Sequence, residues 1–267
     1  MRDNVKHLAP QTGVQASVYS RPTDFVKLPS KGRFYPSDHP FNGEEEVEVG
    51  FMTTKEEDIL VSPSFNEKGI VFDRLIESIM IKQVKAQTLL LGDKNAILIN
   101  ARKNAYGSNY DIVVTCPKCF KEAEMTIDLD EVEPKELAST GIEFTEQGTF
   151  VLELPRTKAV IELKLLTSTD EEEITKKAEQ KAKHNLPETL ATDRLRQMIV
   201  AVNGDANMMS VNELISKMPI ADSRFLKKKY LEAVPDVDFT YTHECEVCEH
   251  VSEGGVPLLG TFFWPDE

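Results

Sequence analysis

Several features that assign a chain to a familiar class are missing from this sequence of 267 residues. No stretch approaches the ~18 consecutive apolar residues that a bilayer-spanning helix needs, so we expect no membrane segment. The first residues, MRDNVKHLAP, contain no apolar segment of the kind that a secretory signal peptide requires. We therefore expect neither insertion into a membrane nor secretion by a signal peptide.

The common signatures of catalysis and nucleotide binding are also lacking. The sequence contains no H-E-x-x-H, G-x-S-x-G, G-x-x-x-x-G-K-[ST] or G-x-G-x-x-G motif. Carboxylates cluster at 44–46 and 170–173, but neither cluster is accompanied by a base, a nucleophile or a phosphate-binding loop. We predict that the chain is not an enzyme. An enzyme with an unfamiliar site would instead need a buried pair of carboxylates in a cleft.

Positive charge is scarce, since 31 Lys and Arg residues face 45 Asp and Glu residues and leave a net charge of −14. A surface with this balance repels a phosphate backbone unless its basic residues are segregated. The one basic run, 227–229, lies between Leu226 and Tyr230 and is typical of a solvated helix face. We therefore expect no nucleic-acid partner.

Cysteine is rare, but all four cysteines occur in two C-x-x-C pairs. Cys116 and Cys119 form one pair, Cys245 and Cys248 form the other, and 125 residues separate the pairs. Two residues between thiols let both reach one ion from a single turn, and two such turns complete the four-cysteine site of structural zinc. We predict one structural Zn²⁺ ion bound by all four cysteines. Thiols that serve as metal ligands also fit a reducing cytoplasm.

Other interpretations of the cysteines are weaker. Two pairs between strand-like segments are unlike core cysteines that pair by chance, and a redox C-x-x-C usually begins a helix. Catalytic zinc needs an open coordination position, which four thiolates do not leave. His243 and His250 flank the second pair and could replace a cysteine as ligand, but we expect them to lie at the surface or to support the ligands.

Hydrophobic periodicity predicts an α+β fold in which a discontinuous four-cysteine zinc ribbon joins the two halves of the chain. Residues 1–24 lack periodicity and are predicted to form a flexible N-terminal arm. Residues 25–130 are predicted to form an α+β region with the first zinc knuckle, and residues 131–238 an inserted β-hairpin and helical region. Residues 239–267 are expected to contain the second knuckle and an aromatic C-terminal tail.

Within these regions the pattern predicts individual elements and helix caps. Strands are expected at 47–51, 110–115, 125–129, 150–154, 160–166 and 239–242, and helices at 71–80, 170–183, 188–202, 210–218 and 220–233. Capping boxes are expected where Thr53 or Thr54 precedes Glu56 or Glu57, and where Ser168 precedes Glu171. Asp93 is expected to cap a helix that ends near Gly107. The three aromatic residues at 262–264 are expected to be buried in the fold or against a partner.

Several segments resemble one protein family. In chain order they are L-P-S-K-G-R-F-Y-P at 28–36, M-T-T-K-E-E-D-I-L at 52–60, L-L-L-G-D-K-N-A-I at 89–97, V-T-C-P-K-C at 114–119 and F-F-W-P near the end of the chain. In these segments the chain is similar to the T4-type baseplate hub proteins of contractile-tail bacteriophages, also described as baseplate hub assembly chaperones. The resemblance spans most of residues 25–130 and about the last thirty residues. Residues 131–238 contain no segment that resembles the family.

The resemblance implies a role in building the tail baseplate, either as a component of the central hub or as an accessory factor for its assembly. The implied partners are other phage baseplate and tail subunits, and the sequence leaves the oligomeric state open. A hub component is expected in the baseplate of the virion, whereas an assembly chaperone acts in the host cytoplasm and is absent from the mature particle. A zinc-ribbon regulator that binds nucleic acid is the alternative outside this class, but Lys118 and Lys121 are outnumbered by nearby glutamates. These are Glu122, Glu124, Glu244, Glu246 and Glu249.

Overall fold

The fold is described by a computed structural model that covers residues 20–67, 70–135, 142–145, 147–184, 186–187, 189–256 and 260–263. Its strands are β1 (Thr23–Lys27), β2 (Glu46–Gly50), β3 (Asn109–Thr115), β4 (Glu122–Asp128), β5 (Thr149–Glu153), β6 (Val160–Lys164), β7 (Ile199–Val202), β8 (Thr240–Glu244) and β9 (Val251–Gly255). Its helices are α1 (Thr54–Leu60), α2 (Pro63–Glu67), α3 (Val71–Ile79), α4 (Leu91–Tyr106), α5 (Ser168–Lys183), α6 (Leu190–Met198), α7 (Met208–Lys217) and α8 (Ile220–Ala233). The predicted mixture of helices and strands is confirmed.

The strands form small antiparallel sheets. β1 pairs with β2, β3 with β4 and β8 with β9, while β5, β6 and β7 form a three-stranded sheet in that order. Most of the arm predicted over residues 1–24 lies outside the described residues, but Thr23 and Asp24 belong to β1. Of the helices in the described ranges, none is both long enough and apolar enough to cross a bilayer.

The core joins parts of the chain that are distant in sequence. Helix α3 begins at Val71, and the apolar residues of its buried face, Leu75 and Ile76, are completely covered. They belong to the same buried cluster as Phe150 of β5 and Leu226 of α8. The predicted inserted region therefore shares one core with the helices that precede it, instead of packing around a core of its own.

Asp93 anchors a loop, and the prediction that it caps a helix is wrong. Helix α4 begins at Leu91, and the Asp93 side chain is fully buried behind this first turn. Its carboxylate accepts hydrogen bonds from the backbone N–H and hydroxyl of Ser30, at 2.9 and 2.5 Å, and from the hydroxyl of Tyr35, at 2.7 Å. Burial raises the pKa of Asp93, because these bonds only partly replace the lost water. The loop at 28–36 is thereby fixed against α4.

A close backbone contact places the end of α8 beside α4. A Cβ atom on Gly92 would lie 2.1 Å from the carbonyl oxygen of Pro235, which is closer than any side chain permits. Only glycine at this position lets the segment after α8 cross over α4. Because β8 begins at Thr240, this crossing directs the second cysteine pair toward the first.

The hairpin predicted between the cysteine pairs is confirmed, but a third strand was missed. β5 and β6 pair as expected, and β7 adds to the far side of β6. The helix predicted over 188–202 ends at Met198, and the next residues, Ile199 to Val202, form β7. β-Branched residues fit a strand better than a helix, and the sheet provides the pairing that favours it.

Two predicted capping boxes have different outcomes. The box of Thr53 with Glu56 is confirmed at the start of α1. At the start of α5 the box is formed by Thr167 with Asp170, one residue before the predicted pair of Ser168 with Glu171. Ser168 is instead the first helical residue and is buried.

Asp222 fastens the turn of the β5–β6 hairpin to α8. Its buried carboxylate accepts hydrogen bonds from the backbone N–H groups of Arg156 and Thr157, at 2.8 and 2.9 Å, and from the Thr157 hydroxyl at 2.8 Å. Burial alone would raise the pKa of Asp222, but these bonds outweigh it and hold the pKa below its ordinary value. The ionised form is therefore stabilised by folding.

We expect the Asp222→Asn substitution to cost about 1–3 kcal/mol of unfolding free energy at pH 7, because an amide group faces donors that only an acceptor satisfies. The contribution of Asp222 is present above the unfolded pKa of about 3.9 and is lost as the pH falls through the lower folded pKa. Urea unfolding from pH 7 to pH 3 checks this. The difference between wild type and variant should shrink toward acid pH, and a constant difference would contradict the assignment.

Candidate metal centre

Each cysteine pair lies in a turn between two antiparallel strands. In the first turn the N–H of Cys116 donates to the Lys121 carbonyl at 2.9 Å, and the N–H of Phe120 donates to the Cys116 carbonyl at 2.9 Å. The second turn repeats this pattern, since the N–H of Cys245 donates to the His250 carbonyl at 3.0 Å. The N–H of Glu249 likewise donates to the Cys245 carbonyl at 2.8 Å. The two turns are therefore structurally equivalent.

The equivalence extends to the backbone after each pair. Phe120 and Glu249 have φ angles of 59° and 55°, in the left-handed region that favours glycine. This conformation turns the chain so that both thiols of a pair face the same way. For a non-glycine residue, this left-handed conformation costs roughly 1–2 kcal/mol.

Replacing Glu249 with glycine is expected to stabilise the protein by about 1 kcal/mol, because glycine adopts this backbone conformation without a steric penalty. Thermal unfolding of the metal-loaded protein measures the effect. Glu246→Gly is a matched control in the same turn, since it removes the same charge at a residue without positive φ. The control should leave stability unchanged or lower it, and an equal gain from both variants would rule out relief of backbone strain.

The four sulfur atoms come together although the pairs are distant in sequence. All four lie within 4.8 Å of one another, with 3.7 Å between Cys116 and Cys248 and 3.5 Å between Cys119 and Cys245. Four thiolates around a tetrahedral ion at a Zn–S distance of ~2.3 Å lie ~3.8 Å apart, which these spacings approach. A disulfide needs ~2.05 Å, and all four cysteines are free. The set therefore fits a single metal ion.

The environment favours ionisation of the first cysteine in each turn. Backbone N–H groups of Cys119 and Lys118 lower the pKa of Cys116 to about 6, and those of Val247 and Cys248 lower the pKa of Cys245. Burial and the neighbouring thiols raise the pKa of Cys248 to about 12. Four thiolates so close together repel one another, and a bound cation removes this repulsion. The site thus has the chemistry of a cation site.

The two flanking histidines are not members of this group. The Nε2 atom of His243 is buried and has no hydrogen-bond partner among the described residues. His250 supplies its backbone carbonyl to the turn, as described above. The expectation that both histidines lie at the surface or support the ligands stays a prediction.

An aromatic cluster fixes the base of the two hairpins. The Phe262 ring centroid lies 4.9 Å from that of Tyr110 in β3, 6.0 Å from Phe239 and 5.3 Å from Phe263. The side chain of Arg102 in α4, 2% exposed, donates from Nε to the Phe262 carbonyl at 2.9 Å. The predicted burial of the aromatic tail is confirmed for Phe262 and Phe263, whereas Trp264 lies outside the described residues. Sequence reasoning missed Arg102, since nothing in the sequence distinguishes it from a surface arginine.

One carboxylate pair resembles the feature that an enzyme would need, but its contacts are structural. Asp73 in α3 is buried beside Glu172 in α5, and burial raises the pKa of Asp73. The ammonium group of Lys94 lies 2.5 Å from the Asp73 carboxylate, and Lys176 pairs with Glu172 at 2.9 Å. Each carboxylate therefore has a cationic partner, as expected at a junction of three helices.

These features define a mixed helix and sheet protein whose distinctive site is a four-cysteine group able to hold a metal ion. A comparison with protein families matches the family described as T4 bacteriophage base plate protein to residues 22–264. The chain therefore belongs to the T4 bacteriophage base plate protein family, as its resembling segments indicated. The match includes residues 131–238, for which the sequence resemblance had found no counterpart. Searches of curated proteins and of solved structures gave no significant match.

Proposed function

We propose that this protein is a structural or assembly protein of the phage contractile-tail baseplate, placed at the central hub. Membership of the base plate family over residues 22–264 is the observation that carries the proposal. The protein acts through contacts with other baseplate and tail subunits and catalyses no reaction. Its net charge of −14 suits contact with other proteins better than contact with nucleic acid.

The metal in this proposal is zinc with a structural role. Four cysteine thiolates are the ligand set of closed zinc sites, and thiolates select zinc over magnesium or calcium. Cys116, Cys119, Cys245 and Cys248 hold the ion, which links the β3–β4 hairpin to the β8–β9 hairpin. With all coordination positions taken by the chain, the ion stabilises the fold and takes no part in chemistry.

An alternative within the same class is a baseplate assembly chaperone that is absent from the mature particle. The two roles differ in where the protein is found at the end of assembly. Mass spectrometry of purified particles beside assembly intermediates distinguishes them, with zinc quantified in the isolated protein. A hub component is expected in both samples, and a chaperone in the intermediates alone. Absence from both samples, or normal assembly of baseplates without the gene, would refute the proposal.

A further inference from the structure

Helix α8 presents one exposed face that is both basic and apolar. The exposed residues Ile220, Arg224, Lys227, Lys228 and Leu231 recur at helical spacing and cover an arc of about 100°. The opposite face of the helix is buried in the core. We call these five residues the α8 stripe. Its two ends are apolar, since Ile220 is 79% and Leu231 is 66% exposed.

The cations of the α8 stripe lack the partners found elsewhere in this acidic chain. Arg224 and Lys227 form no ion pair with any residue in the described ranges, and Lys228 forms no salt bridge there. By contrast, Lys229 on the flank of the helix pairs with Glu232 at 2.7 Å. The ion pair with Lys229 lowers the pKa of Glu232, and Lys228 contributes to this shift, but Glu232 makes no salt bridge to the stripe within the described ranges.

The first hairpin of the metal centre has a face with the opposite character. Residues directly opposite in an antiparallel pair share a face, and Val113 lies opposite Glu124 while Asp111 lies opposite Thr126. Glu122 and Asp128 continue the same alternation on β4, and all these residues are exposed. We call Asp111, Val113, Glu122, Glu124 and Asp128 the ribbon face. It contains no lysine or arginine, and Val113 at its centre is 64% exposed.

The α8 stripe and the ribbon face match in length as well as in charge. A helix of 14 residues is ~21 Å long, and strands of seven residues are ~23 Å long. Each surface combines charge of one sign with exposed aliphatic side chains. Both belong to the same chain, so every copy offers one of each.

We propose that the α8 stripe of one copy binds the ribbon face of a second copy. Because the two surfaces differ, the contact is head-to-tail and generates either a closed ring or an open chain of subunits. Charges within the contact lie closer than the ~8 Å screening length at physiological salt, whereas the overall repulsion between acidic copies acts over longer distances and is screened. Local complementarity therefore decides the association. The inference does not depend on the role in the baseplate.

Sedimentation equilibrium of the full-length, zinc-loaded protein tests this proposal over a range of concentrations, at low and at high salt. Wild type is expected to self-associate, more weakly as salt rises. The double variant Arg224→Glu, Lys228→Glu reverses the charge at two positions of the α8 stripe. The double variant Glu122→Lys, Glu124→Lys does the same on the ribbon face. Each double variant alone is expected to associate at least about tenfold more weakly, since close charge pairs contribute more than one order of magnitude.

Mixing the two reversed variants provides the decisive result. The mixture should recover association with an affinity within a few-fold of wild type, because the wild-type stripe of one variant meets the wild-type face of the other and the two reversed surfaces are also complementary in charge. The double variant Lys31→Glu, Lys85→Glu is the matched control for the reversed-stripe variant. Both lysines are exposed and lie outside the stripe, and the two substitutions change the net charge by the same amount. It should not disrupt association, and the melting temperatures of all variants should stay near wild type.

Three results would overturn the proposal. If the wild-type protein remained monomeric at every concentration, the stripe would instead be assigned to binding a different acidic protein. The mixed variants could fail to associate although both are folded. A salt-dependent shift of DNA or RNA that disappears in the reversed-stripe variant, without self-association of wild type, would assign the stripe to nucleic acid.

Discussion

Replacing Cys116 with serine is expected to abolish stoichiometric zinc binding and to loosen both hairpins of the metal centre together. Three remaining thiols cannot close the site, and structural zinc supplies a large part of the folding free energy in small domains. For a chain of this size we expect the melting temperature to fall by more than about 10 °C. Metal analysis and thermal unfolding of the purified variant measure both effects.

The same experiment tests whether the distant cysteine pairs share one ion. Cys245→Ser should have the same effect as Cys116→Ser. The melting temperature of the double variant should be little lower than that of either single variant, because both substitutions destroy the same site. Thr115→Ser, beside the first pair, is a control that should keep zinc and wild-type melting. Full zinc content and unchanged melting in Cys116→Ser would show that the shared site is wrong.

Truncating Phe262 to alanine is expected to cost about 3–5 kcal/mol of unfolding free energy. The ring is 1% exposed and packs against Tyr110, Phe239 and Phe263, so its removal leaves a cavity that these rings cannot fill. Because Tyr110 is the second residue of β3 and Phe239 directly precedes β8, the substitution should also increase hydrogen exchange in both hairpins. Denaturant unfolding and amide exchange measure the two effects.

A matched control for this truncation is Phe25→Ala in β1. The Phe25 side chain is 61% exposed, and we expect its removal to cost less than about 1 kcal/mol. Exchange in the two hairpins should not change in this variant. If Phe262→Ala were equally mild, the aromatic cluster would not be what fixes the base of the hairpins.

Spacing rules predicted which residues form the four-cysteine group, because the geometry of a C-x-x-C turn is local. A C-x-x-C pair between two strands presents both thiols from one turn, whatever surrounds it, and so the four cysteines could be named from the sequence. Similar local signals located the β5–β6 hairpin and the amphipathic helices α3 and α8. The identity of the metal and the division into regions stay predictions.

Features that depend on distant contacts could not be predicted. Asp93 looked like a helix cap, but its partners Ser30 and Tyr35 lie about sixty residues earlier in the chain. The sequence pattern predicted a helix where β7 lies, because the strand that pairs with β7 is distant in sequence: Ile161 and Val202, which face each other, are 41 residues apart. The left-handed backbone at Phe120 and Glu249 could not be predicted either. Glycine is the residue that usually marks this conformation in a sequence, and neither position is a glycine.

The two turns of the metal centre are synthesised at different times. Cys245 follows Cys119 by 126 residues, which a ribosome adding 5–20 residues per second needs about 6–25 s to translate. During that interval the first turn offers only half a ligand set, while helices α5 to α8 emerge and pack. A four-cysteine site can therefore close only after the second turn and the whole segment between the two pairs have been made.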